Sequence, residues 1–93
     1  MLNQAIIVGR IKEINENSMV VGVPRAYKNA EGEYDTDFIK CSFNNDITKN
    51  VNQCCEIGDI IGVKGRIASI EDKIEIIAEK VSFLSSRRNE EEA

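Results

Sequence analysis

Residues 23–43, "VPRAYKNAEGEYDTDFIKCSF", carry the pattern on which the fold turns. From Tyr34 onward the residues alternate. Ile39, Cys41 and Phe43 fall on one side of an extended chain, while Tyr34, Thr36, Phe38, Lys40 and Ser42 fall on the other. The first set is wholly apolar and should face a core, which turns Phe38 outward beside Lys40. The polar "NAEG" reads as a turn ending in glycine, so extended segments over 20–28 and 33–43 should form a β-hairpin. Pro24 cannot donate to a ladder and implies an edge or a bulge in the ascending segment. Parity therefore leaves open whether Arg25 and Tyr27 share a face with Phe38.

Before this hairpin, "QAIIVGRIKEI" (4–14) reads as a strand with a bend at Gly9. Ile6 and Val8 alternate with Ala5 and Ile7, so both of its faces are apolar, as in strands covered on both sides. After the hairpin, "NNDITKNVNQCCEIG" (44–58) puts Ile47, Val51 and Cys54 or Cys55 at helical spacing, with Asn45 or Asp46 as cap and Gly58 as stop. "DIIGVKGRIASI" (59–70) alternates again, with Ile61, Val63, Gly65 and Ile67 inward and Gly62, Lys64, Arg66 and Ala68 outward. "EDK" turns the chain into a last strand, "IEIIAEKVSFL", and the charged "SSRRNEEEA" (85–93) is expected to be a frayed tail. Five short antiparallel strands with one helix between the third and fourth describe an all-β, five-stranded oligonucleotide-binding (OB) barrel over residues 1–84.

The chain has 93 residues, enough for one small domain. No apolar run is long enough to span a bilayer, and "MLNQAIIVGR" lacks the pattern of a secretory signal, so the cytoplasm is the expected location and no membrane partner is expected. There is no histidine, and Cys41, Cys54 and Cys55 lack zinc-ligand spacing; they read as small apolar residues with no functional role. Asp35, Asp37 and Asp46 could hold Mg²⁺ in a nuclease, but acids beside a turn read more simply as a solvated edge. With neither a histidine base nor a phosphate loop nor a nucleophile elbow, no catalytic residue, metal or cofactor is assigned, and the chain reads as a non-enzyme.

Four blocks, "MLNQAIIVGRI", "VPRAYKNAEGEYDTDFIKC", "GDIIGVKGRI" and "AEKVSFL", resemble the bacterial single-stranded DNA-binding protein family, in the same order and over nearly the whole chain. The resemblance implies an OB fold, sequence-tolerant binding of single-stranded DNA in replication, recombination or repair, and assembly into dimers of dimers. It places Tyr27 and Phe38 at positions where the family stacks bases, though each could merely cover the barrel. Arg10, Arg25, Lys28, Lys40, Lys64 and Arg66 are the cations assigned to phosphates, each of which could equally be an ordinary solvated charge. Leu2, Gln4, Ile6 and Val8 are assigned to a two-fold interface giving a homodimer or homotetramer.

The chain also departs from the family. Asn44 stands where the family has a tryptophan; by parity it should point to the DNA face with Phe38 and Lys40, or else cap the following helix. The link between the first two strands is short, and the "EDK" hairpin is shorter than the family's basic and aromatic arm. The tail lacks the acidic tip with a closing aromatic that recruits replication proteins, so such partners stay open. A net charge of −4 opposes a polyanion at long range, but the acids gather at Glu31, Glu33, Asp35, Asp37, Glu71 and Asp72 and in the tail. The competing reading is an OB-fold protein-interaction or primosomal-type module with weak or lost DNA binding.

Overall fold

A computed structural model of the chain describes residues 2–85. It contains β1 (Ala5–Ile14), β2 (Ser18–Pro24), β3 (Thr36–Ser42), α1 (Asn45–Cys54), β4 (Ile60–Ile70) and β5 (Lys73–Ser85). The strands close into a barrel in the order β1-β2-β3-β5-β4. Alternation decides what fills it. Ile11 of β1, Met19 and Val21 of β2, Cys41 of β3, and Ile61 and Val63 of β4 are fully buried. Val51 sinks from one face of α1 into the same core, beside Phe43 and Cys55.

Several expectations need correction. The strands are not all antiparallel: β3 and β5 run parallel, pairing Cys41 with Ile76 and Ser42 with Ile77. The reason is topological, since a closed ring with an odd number of strands cannot alternate direction at every neighbour. Nor are the strands uniformly short, because β4 and β5 have 11 and 13 residues. The hairpin strands stop earlier than expected, at Pro24 and Thr36, which pair. Between them Asn29 organises a loop, its Oδ1 accepting from the amides of Glu31 and Glu33 at 2.9 and 3.0 Å. Tyr34 therefore belongs to that loop and not to a strand. The helix is capped one residue early, by Asn44, whose Oδ1 accepts from the Ile47 amide at 3.0 Å. It ends in extended Cys55, and Gly58 instead forms a later turn at φ 99°.

The long hairpin β4–β5 outruns the barrel. β1 pairs with β4 only from Arg10↔Ile60 to Ala5↔Gly65. At Gly65 the register with β5 shifts, and an added Cβ would strike the Ile77 carbonyl, so only glycine permits this bend. Past it, Asn3 continues the ladder with its side chain: Nδ2 donates to Ile67 O, and Oδ1 accepts from Ile67 N, both at 2.9 Å. The arm then turns at Glu71 and Asp72, both at positive φ, the type I′ pattern of a two-residue hairpin. Ile67, expected inward, is 49% exposed because it lies on the arm, past the end of the enclosed interior.

The tail expected over 85–93 lies outside the described residues except for Ser85, which ends β5 opposite Ile60. Among the described residues no helix is long and apolar enough to cross a membrane.

Candidate nucleic-acid interface

Outward side chains of neighbouring strands line up wherever their residues pair. Phe38 pairs with Gly22, Gly22 with Arg10, and Arg10 with Ile60, which sets one row across β3, β2, β1 and β4 on a single face. Phe38 is 57% exposed, as its parity requires. Gly22 makes room for it: a Cβ there would stand 3.4 Å from Phe38 Cε1 and 3.3 Å from Thr36 Cγ2. The ring thus leans over bare backbone and walls a groove of about 580 Å³, lined also by Val8, Arg10, Lys12 and Ile60.

Lys12 is the functional candidate that sequence reasoning missed. Its Nζ stands 3.9 Å from the centroid of the Phe38 ring, a cation–π contact. The pairing of β1 with β2 slips between Ile11↔Val21 and Glu13↔Val20, so Lys12 is the extra residue of a bulge. Bulges re-aim side chains. Its even numbering with Val8 and Arg10 was the one signal in the sequence that could have drawn attention to it.

The remaining assigned residues scatter. Arg10 lines the groove and donates from Nη1 to Gly58 O at 3.0 Å. Arg25 leaves the row for the 25–35 loop, where Asp37 holds it through Nε and Nη2, the shortest contact being 3.0 Å, with Asp35 at 3.9 Å. This hydrogen-bonded contact raises the pKa of Arg25 and lowers that of Asp37. Tyr27 and Lys28 stand exposed in the same loop, with Lys28 Nζ 5.9 Å from the ring of Tyr34, and neither lines the groove. Lys40 points outward but reaches Glu75 Oε2 at 3.6 Å. Asn44 is exposed, yet its side chain is engaged in capping α1. Lys64 and Arg66 project from β4, where Lys64 stands across from Ile6 and Lys80, and neither lines the groove.

The apolar strip expected of β1 lies on the same outward face as Arg10, and Val8 belongs both to it and to the groove. Ile6 and Val8 are 68% and 51% exposed. Leu84 adds to it, its Cδ1 3.7 Å from where a Gly62 Cβ would stand, with Val8 Cγ2 at 3.9 Å on the other side. Leu2 is exposed, as is Gln4.

Burial, and secondarily Glu75, pushes the Cys41 thiol up to about 11, and burial also raises Cys55. Among the described residues no cluster of histidine, cysteine or acidic side chains is fit to hold a metal ion.

No family model matches the chain. A single-stranded DNA-binding protein of Listeria innocua, designated number 3, is 30% identical over 108 residues, covering 96% of this chain and 68% of the relative. The chain belongs to the bacterial single-stranded DNA-binding protein family. Its members are binding proteins, which places the chain outside the enzymes. Among solved structures, the Plasmodium falciparum protein of this name in complex with single-stranded DNA superposes with a TM-score of 0.75 over 91% of this chain and 96% of its own, at 14% identity. The dimeric N-terminal domain of PriB from Thermoanaerobacter tencongensis superposes with a TM-score of 0.68 over 90% of this chain and 98% of its own, at 18% identity. At such identities the likeness is one of fold, and it agrees with the OB barrel expected from alternation.

Proposed function

We propose that the chain binds single-stranded DNA with little sequence preference, stacking bases on Phe38 while Arg10 and Lys12 hold phosphates along the same groove. The observation that carries this reading is the exposed Phe38 ring lying across Gly22 with Lys12 at 3.9 Å. A base offers a flat face to such a ring whatever its identity, and the flanking cations track the backbone. Tyr27 and Lys28 extend the surface when the 25–35 loop meets the strand, and Lys64 and Arg66 supply charge on the β4 side. The protein acts in the cytoplasm as an accessory of replication, recombination or repair. Titration of labelled oligo(dT) at several salt concentrations tests the reading. Affinity should fall as salt rises, with a log–log slope of about −0.7 per phosphate neutralised.

A second reading has a specific observation behind it: Arg25 and Lys40 already face Asp37 and Glu75, which reduces the charge they offer to DNA. The chain would then be an OB-fold interaction module, and an absence of oligo(dT) binding at low salt would select it.

Self-association belongs to the same proposal. Ile6 and Leu84, with Val8 at the edge shared with the groove, leave an apolar strip that a second copy covers across a two-fold axis. The parent should sediment as at least a dimer at micromolar concentration and Ile6→Glu as a monomer. Because Ile6 is 68% exposed, the variant should keep its fold. A monomeric parent would reject the interface.

A further inference from the structure

Asp59 is 5% exposed and does not line the groove, although Gly58 and Ile60 on either side of it do. Burying a carboxylate is costly unless hydrogen bonds replace the lost hydration. Asp59 has such a bond in the turn between α1 and β4. Its Oδ2 accepts from the Glu56 amide at 2.8 Å, and its own amide donates back to Glu56 O at 3.1 Å. The two bonds close residues 56–59 into a tight turn, in which Gly58 takes a φ of 99°.

That turn grips β1 beside the groove. Gly58 N donates to Ile11 O at 2.8 Å, Ile11 N donates to Asp59 O at 3.0 Å, and Arg10 donates from Nη1 to Gly58 O at 3.0 Å. Lys12, the bulged residue over Phe38, comes next in the chain. Both groove cations therefore take their positions from a short segment whose shape the Asp59 carboxylate sets.

We propose that Asp59 is a positioning residue for DNA binding: by closing the 56–59 turn it holds Arg10 and Lys12 in the geometry in which they meet phosphate. The inference rests on the single-stranded DNA reading above and deepens it. Geometry is the route by which Asp59 helps, because a negative charge this close to the groove works against a polyanion. Long side chains that are already ordered lose less freedom when a phosphate arrives. The Gly58 carbonyl orders the Arg10 guanidinium through one donor of its fork. The two bonds to Ile11 fix the strand immediately before Lys12, and with it the bulge that aims the ammonium.

Oligo(dT) titrations of Asp59→Ala and Asp59→Asn, made well below their melting temperatures, test this. Asp59→Ala removes the acceptor, and its affinity should fall about fivefold because two cations must then be ordered on binding. Its salt slope should stay as in the parent, since both cations are still present. Asp59→Asn keeps an oxygen for the Glu56 amide and sheds the charge, so it should bind at least as tightly as the parent. In an Arg10→Ala/Lys12→Ala background the Asp59→Ala change should leave affinity unaltered. If Asp59→Ala binds as well as the parent or better, the carboxylate acts by charge alone and the inference is rejected. If it weakens binding equally in both backgrounds, Asp59 serves the fold in general and the inference is again rejected. Should Asp59→Ala not fold, Asp59→Ser, with a shorter side chain to reach the Glu56 amide, takes its place under the same criteria. Each of these rejections leaves the DNA reading standing, whereas a parent that fails to bind at low salt removes that reading and the inference with it.

Discussion

Phe38→Ala is expected to weaken oligo(dT) binding by about 1–3 kcal/mol per base stacked on the ring, which is up to about a hundredfold in Kd. The effect should be this large because the ring is the one aromatic surface in the groove. Stability should change little, since the ring is 57% exposed and the inward face of β3 keeps Ile39 and Cys41. Lys12 would lose the ring at 3.9 Å but keep its charge, so the salt slope should hold. Phe38→Leu should recover little of the loss, as it restores apolar bulk without a π face. Anisotropy titration alongside thermal melting reads all three quantities. A folded Phe38→Ala that binds like the parent would move stacking elsewhere on the surface, with Tyr27 the next ring to test.

Glu75→Ala is expected to lower folding stability by about 3 kcal/mol. The barrel closes between β3 and β5 through only two backbone pairs, and Glu75 reinforces that seam from β5. Its Oε1 accepts from the Ser42 hydroxyl and its Oε2 lies 3.6 Å from Lys40 Nζ, so one carboxylate ties two residues of β3. Alanine removes a charge-assisted hydrogen bond and leaves space beside buried Ile76. The side chain of Lys40 is 57% exposed and its ammonium can return to water, so the loss lies mainly in the Ser42 bond and the packing. Glu75→Gln keeps an acceptor for Ser42 and loses only the ion pair, and should cost about 1 kcal/mol. Chemical denaturation of the two variants gives the comparison. If Glu75→Ala is as stable as the parent, the backbone ladder and α1 hold the seam unaided.

Glu75 also marks where reading the sequence stopped short. In "IEIIAEK" it looks like an ordinary solvent-facing acid between apolar neighbours, and nothing local signals burial. Lys40 looked like a cation available to phosphate for the same reason. Each assignment depended on whether the other strand lay opposite, and those residues meet only because β3 and β5 become parallel neighbours. Arg25 tells a similar story across the hairpin, where strands ending at Pro24 and Thr36 bring it to Asp37. Asn44 went the other way: its capping of α1 is a short-range event, three residues from donor to acceptor, and stood among the readings open from sequence.

Alternation is a local property, carried by the order of the residues along one strand. The apolar face of Ile39, Cys41 and Phe43, the outward Phe38, the doubly apolar start of β1, the helix over Ile47 and Val51, and with them the barrel, were therefore determined by the sequence by itself. What only the tertiary structure decided is which charges the ring has beside it. A bulge in β1 sets Lys12 over Phe38, Gly22 of another strand lets the ring lean across, and acids from other segments draw Arg25 and Lys40 aside. Those outcomes depend on the register between segments far apart in the chain, and electrostatic contacts at 3–4 Å change wholly when that register slips by one residue.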